Sequence, residues 1–236
     1  MRSSTKKTKI KAVIFDWDGT LVDSLRDHYN AHKETVELAN SQGIPAKFPY
    51  HTFEEWKKDF EETPFHKMYS EKYGLPYEKH SKLIYDTFAN HLKKANTQTF
   101  PFTKAVLDAL HGNLKLIVIT SRPQNTLLKD SLRLKIHSYF DHLIGTPKRP
   151  DTLILSKEDH INLALKRAGL KPNEVVMVGD VRSDFHSAKK AHPDMPVLLV
   201  PWGFERLDQL HEIGKSNIVS SPEDLVRRLL AMAHGK

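Results

Sequence analysis

Short apolar runs recur along the chain at 10–15 (IKAVIF), 114–119 (LKLIVI), 142–144 (HLI), 175–178 (VVMV) and 197–200 (VLLV). Continuous runs of this length, bounded by polar turn residues, fit strands buried on both faces. Segments of helical period lie between or after most of them, at 124–136, 157–168, 183–191 and near 222–233. The last of these opens on Ser221 as N-cap, Pro222 in the first turn and Glu223 and Asp224 beside the positive end of the helix dipole. Alternation of this kind predicts an α/β fold, a doubly wound parallel sheet with helices on both faces.

Almost a hundred residues separate the first two strands, far more than one crossover helix needs. From about 24 to 98 the pattern changes to long amphipathic segments rich in Glu, Lys, His and aromatics, broken at QGIP (42–45), ETP (62–64) and YGLP (73–76). The expected organisation is a basic, flexible tail at 1–9, an α/β core domain from 10–23 and 99–236, and an inserted helical domain at 24–98. The chain is expected to leave the core near 21–25 and return near 97–101.

Composition narrows the field of functions. No cysteine is present, which excludes a thiolate zinc site and a cysteine nucleophile and favours a reducing compartment, with the cytoplasm the expected location. No apolar stretch approaches the roughly 18–20 residues of a membrane-spanning helix, so no membrane partner is expected. Lys and Arg number 36 against 29 Asp and Glu, a net charge of +7. The basic residues are scattered and not interleaved with aromatics, which argues against nucleic acid and fits a solvated surface.

The chemistry is concentrated where the strands end. The first runs into DWDGT, and because residues i and i+2 of a strand face one side, Asp16 and Asp18 converge while Trp17 points away. Gly19 permits a sharp turn and Thr20 offers a hydroxyl. The strand at 175–178 runs into GDVRSD, placing Asp180 and Asp184 in the same kind of position. The strand at 114–119 ends in Thr120 and Ser121, with Thr120 also readable as a helix N-cap before Pro123. Adjacent carboxylates repel unless protonated or bridged by a cation. A hard, oxygen-only donor set suits Mg²⁺ and gives no His or Cys spacing for zinc. Open α/β sheets bind ligands at this end of their strands.

In its DWDGT, Thr120-Ser121, Lys157 and GDVRSD elements, in that order, the chain resembles the haloacid dehalogenase-like hydrolase superfamily. The likeness is to its phosphoglycolate phosphatase-like members with a small helical cap. The resemblance implies a Mg²⁺-dependent hydrolase of a small phosphorylated metabolite. Asp16 would be the nucleophile that forms an aspartyl-phosphate, and Asp18 the general acid and base. Asp16, the Asp18 carbonyl and Asp180 would hold the metal. Thr120 and the Ser121 amide would grip the phosphoryl oxygens, Lys157 would offset charge, and Asp184 would hold Lys157 or a metal-bound water. Lys148 in TPKRPD competes for the lysine role, but Lys157 has the family's single helix between itself and Gly169.

The same resemblance makes residues 24–98 the cap and its polar side chains the specificity candidates, with Arg26, His28, Lys57, His66 and Tyr69 each weighed against a structural role. Trp202 is read either as lining the site's rim or as packing. Asp18 argues against dehalogenases and phosphonatases, which lack the second aspartate. Hexose-phosphate mutases are the main alternative, since His28 falls where they also place a histidine. They carry Glu-Asp where this chain has Gly179-Asp180. A catalytically silent binding protein is a further alternative, although no motif is broken. No motif specifies the substrate or the oligomeric state.

Overall fold

The computed structural model describes residues 9–147 and 156–235. Lys148 and all but the last residue of the 1–9 tail lie outside the described residues. The chain divides into two compact units, one made by the segments up to Asp23 and from Gln98 onward, the other by Ser24–Thr97.

The first unit holds the strands β1 (Ala12–Phe15), β2 (Val22–Asp23), β3 (Gln98–Thr99), β4 (Lys115–Pro123), β5 (His142–Thr146), β6 (Val175–Gly179) and β7 (Val197–Leu199). Five of them form a parallel sheet in the order β5-β4-β1-β6-β7. The remaining two, β2 and β3, pair antiparallel where the chain leaves this unit and returns to it. The unit also holds the helices α5 (Thr103–Leu110), α6 (Gln124–Arg133), α7 (Lys157–Ala168), α8 (Arg182–Ala191), α9 (Leu207–Leu210) and α10 (Pro222–His234), numbered after the four of the inserted segment described below.

Period-two alternation sorts the sheet residues onto two buried faces. Val13, Phe15, Leu116, Val118, Val176 and Val178 meet Leu107 and Leu110 of α5, Leu127 of α6 and Leu225 and Leu229 of α10. On the opposite face Ala12, Ile14, Ile117, Ile119 and Met177 meet Ile161, Ala164 and Leu165 of α7 and Ala188 of α8. Because β1 is central and wholly buried, its sequence AVIF carries no polar residue. Truncating Ile14 to Ala would cost about 2–5 kcal/mol. As expected, Ser221 caps α10, its side chain accepting from Asp224 N, with Pro222 in the first turn.

One helix stops short of its expected length. The pattern at 124–136 continues apolar to Ile136, but α6 ends at Arg133. Lys135 takes a left-handed φ of 57°, and Ile136 N donates to Ser131 O, as in a Schellman turn. Ile136 thereby joins the sheet's core cluster rather than continuing the helix.

The inserted unit contains α1 (Leu25–Ser41), α2 (Phe53–Glu62), α3 (Phe65–Lys67), a π-helical turn at Met68–Lys72, and α4 (Tyr77–Lys94). Its interruptions fall at the three expected turn motifs. Thr52 and Glu55 form a reciprocal capping box that starts α2. The core of this unit is aromatic, with Trp56 stacked on Phe60 at 4.5 Å and Tyr69 and Tyr73 fully buried. His32 lies among them, sharing a 2.8 Å hydrogen bond with the Tyr73 hydroxyl, to which Trp56 Nε1 also donates. Burial, reinforced by His28, holds the His32 imidazole well below its usual pKa, so it is neutral.

Candidate active site

The strand order places a topological switch at β1, whose neighbours β4 and β6 lead to opposite sides of the sheet. Phe15 is opposite Val118 on one side and Val178 on the other. Asp16 and Asp180 therefore leave the sheet side by side, and Asp16 N donates to Val178 O at 2.9 Å. Trp17 turns the other way and is fully buried in the core cluster that contains Phe15.

Glycine makes room for these carboxylates. Gly19 has φ of 77°, and a Cβ there would lie 2.2 Å from Asp180 Oδ2. At Gly203 an added Cβ would lie 2.2 Å from Asp180 Cβ, and at Gly179 it would lie 2.0 Å from Asp184 Oδ2. These are closer approaches than any side chain tolerates, so all three positions depend on the missing methyl group.

Around this cradle the polar groups are paired. Thr20 Oγ1 donates to Asp180 Oδ1 at 3.0 Å, and Phe204 N donates to Asp180 Oδ2 at 2.7 Å. Asp184 Oδ2 accepts from Asp180 N at 3.0 Å, while Oδ1 pairs with Lys157 Nζ. Lys157 also donates to Asp16 Oδ1 at 2.8 Å. The lysine arrives there because Ser156 and Asp159 cap α7 reciprocally and fix its first turn.

The charges are unevenly balanced. Burial is the main cause that raises Asp16, opposed by Lys157 and aided by Asp184 and Asp18, and its carboxyl is pushed up to about 7. Asp180 is driven well above the carboxylate range by burial, then by Asp184 and Asp16. Lys157 is pushed above its usual value, since its two carboxylate partners outweigh desolvation. Oxygens of Asp16, Asp180 and Asp184 lie within 4.8 Å of one another. Three buried, mutually repelling carboxylates are a donor set that fits a hard divalent cation.

Asp18 has a different environment. Arg122 Nε donates to both of its oxygens, at 3.0 and 2.9 Å, and Nη2 to Oδ1 at 2.6 Å. Arg122 Nη1 extends to Asp130 Oδ2 of α6 at 3.0 Å. Thr120 is buried, and its hydroxyl accepts from Arg122 N at 3.1 Å. That bond closes a local turn; α6 is capped at Pro123 without a side-chain bond, so Thr120 is not its N-cap. Ser121 is exposed.

The family model for haloacid dehalogenase-like hydrolases matches residues 13–198, which include every one of these side chains. The chain belongs to that family. A phosphoglycolate phosphatase of Chromobacterium violaceum is 27% identical over 222 residues, covering 92% of this chain and 97% of the relative. A glyceraldehyde 3-phosphate phosphatase of Pyrococcus furiosus is 29% identical over 196 residues, covering 77% of each chain. A crystal structure described as a predicted phosphatase from Clostridium acetobutylicum superposes with a TM-score of 0.78 at 23% identity, covering 94% of this chain and 99% of that one.

In this haloacid dehalogenase-like hydrolase, the sequence motifs bring Asp16, Lys157, Asp180 and Asp184 into one cluster. Sequence reasoning missed Arg122 and Asp130. The signal was alternation after Thr120: the exposed Ser121 separates two buried positions, and the second carries a charge that demands a partner. Trp202 packs, its ring 4.8 Å from Phe102 and its Nε1 donating to Thr20 O. The side chains weighed for specificity have structural partners within the inserted unit. Arg26 lies 3.6 Å over the Phe53 ring, His28 packs edge-on to Phe88 at 4.8 Å, and Lys57 pairs with Glu61. His66 stands edge-on to Tyr77 at 6.3 Å, and Tyr69 is fully buried. No helix among the described residues is long and apolar enough to cross a membrane.

Proposed function

We propose that the chain is a Mg²⁺-dependent phosphomonoesterase that works through an aspartyl-phosphate on Asp16. The observation that carries this reading is the Asp16–Lys157–Asp184 chain beside Asp180, at the ends of β1 and β6. A Lys157 ammonium on Oδ1 orients the Asp16 carboxylate and offsets its charge as an anionic phosphate approaches. An oxygen of Asp16 attacks phosphorus and the ester bond breaks; Asp18 enters this step protonated, gives that proton to the departing oxygen and is left as the carboxylate that the Arg122 fork holds. Asp18 then takes a proton from water as that water attacks the same phosphorus, releasing inorganic phosphate and restoring Asp16.

Asp16, the Asp18 carbonyl and Asp180 would hold the metal. Bound there, Mg²⁺ supplies the positive charge that lets buried carboxylate and phosphate coexist. Thr120 and the Ser121 amide are assigned to the phosphoryl oxygens, and Asp184 to holding Lys157. The substrate class is a small phosphorylated metabolite such as an acid or sugar phosphate, in keeping with the names of the two curated relatives. Residues 24–98 are assigned as the cap that selects among such substrates, and the zero cysteine count favours a cytoplasmic setting. His28, which prompted the mutase alternative, packs against Phe60 and Phe88.

A panel of acid, sugar and nucleotide monophosphates, assayed for inorganic phosphate with Mg²⁺ and with chelator, tests the reading. At least one ester is expected to turn over only with the metal, and Asp16→Asn to abolish that turnover. An isomeric sugar phosphate accumulating in place of inorganic phosphate would refute it, as would undiminished release by Asp16→Asn.

A further inference from the structure

We propose that Arg122 is a positioning residue that fixes the Asp18 carboxylate for proton transfer, with Asp130 as the anchor behind it. The proposal rests on the reading of Asp18 as proton donor and acceptor. Asp18 belongs to the tight turn formed with Gly19, where its carboxylate has staggered alternatives to choose among. The Arg122 fork removes that freedom by holding both carboxylate oxygens at 2.6–3.0 Å.

The guanidinium is itself immobilised. The Arg122 side chain is 1% exposed, and Nη1 is held by Asp130, which Arg133 also meets at 3.3 Å. The β4 segment that carries Arg122 and the first residue of α6 are braced against β5: Thr146 Oγ1 donates to Ser121 O, and Gly145 N donates to the Gln124 side chain at 2.7 Å. Gly145 is required at that crossing, because a Cβ there would lie 2.7 Å from Arg122 O. The order of support runs from β5 and α6 through Asp130 and Arg122 to Asp18. A guanidinium turned toward a phosphate would leave its fork open to the anion, whereas here Nε, Nη1 and Nη2 all address carboxylates.

A residue that only stabilises the fold would lower every substrate alike. A residue that positions the proton donor matters most when the leaving oxygen is basic. The test is therefore the dependence of kcat/KM on leaving-group pKa, measured over a series from acidic phenyl phosphates to alkyl phosphates. Asp18→Asn steepens that dependence. Arg122→Lys keeps the charge and loses the planar fork; it is expected to steepen it in the same sense. Its loss should be about tenfold or more on alkyl phosphates, a part of the 10²–10⁴ that general acid catalysis contributes. Phosphates of the most acidic phenols should fall by about twofold or less.

Asp130→Asn is nearly isosteric, leaves Arg122 in place and is expected to steepen the dependence less, so the proposal does not depend on one variant's folding. In the Asp18→Asn/Arg122→Lys double variant the slope should match that of Asp18→Asn alone. Parallel lines for Arg122→Lys and wild type, with Asp18→Asn steep, would overturn the Arg122 assignment and leave the Asp18 role standing. An unchanged slope in Asp18→Asn would overturn the Asp18 role, and the Arg122 proposal with it.

Discussion

The two units bury ionisable groups in opposite ways. At the ends of β1 and β6, Asp16, Asp180, Asp184 and Lys157 are packed together as charged or chargeable groups, with glycines cleared to admit them. In the inserted unit His32 is buried as deeply, but among Trp56, Phe60, Phe65, Tyr69, Tyr73 and Phe88, and it stays neutral. Burial that opposes charge is useful in catalysis only where something is arranged to restore the charge. Lys157 opposes the loss of charge in the first unit, and the aromatic shell around His32 leaves it unopposed in the second.

The largest effect that separates them should come from Trp56→Ala. It removes a fully buried ring stacked on Phe60 and should cost about 3–5 kcal/mol, read as a lowered denaturant midpoint. A loss below about 1 kcal/mol would mean that aromatic packing does not hold the inserted unit.

Gly19→Ala probes the other side. A left-handed φ together with a 2.2 Å approach to Asp180 should cost about 1–3 kcal/mol of stability and displace the carboxylate. Magnesium-dependent turnover should fall with it, and a variant with normal stability and normal metal dependence would remove Gly19 from the site's design.

The sharpest contrast is in pH. In metal-free protein the raised Asp16 makes the folded state bind a proton that the unfolded chain gives up between about 4 and 7, so its contribution to stability rises as pH falls through that window. His32 has a lowered folded value, so its contribution is complete above about 6.5 and is lost as pH falls below it. Each can reach about 1.4 kcal/mol per pH unit. Denaturant titrations from pH 4.5 to 7.5 should show Asp16→Asn flattening the first slope and His32→Phe the second. Mg²⁺ should bind more tightly as pH rises and release protons on binding. Identical pH slopes in the two variants would contradict the comparison.

Much of this was legible in the chain itself. The central strand is legible because both of its faces are buried, which leaves an unbroken apolar run, and DWDGT because acids after such a run need a reason. The breaks at Gly43, Pro64 and Gly74 were legible because each residue is a strong stop signal. The end of α6 was not, because Lys135 is an ordinary helix former held left-handed by tertiary packing of Ile136. Nor was the β2–β3 pair, two residues long on each side. Arg122 was hidden for a related reason: its partners Asp18 and Asp130 are 104 and 8 residues away, and only the folded sheet brings both to it.

The central claim is covalent chemistry at Asp16. Acid-quenching the enzyme during turnover of a good phosphomonoester with Mg²⁺, then mapping peptides by mass spectrometry, tests it most directly. The account predicts one phosphoryl group on the peptide containing Asp16, present during turnover, lost once the substrate is exhausted and absent from Asp16→Asn. A phosphoryl group on another residue, or steady phosphate release with no phosphoryl-enzyme at any quench time and undiminished in Asp16→Asn, would contradict it.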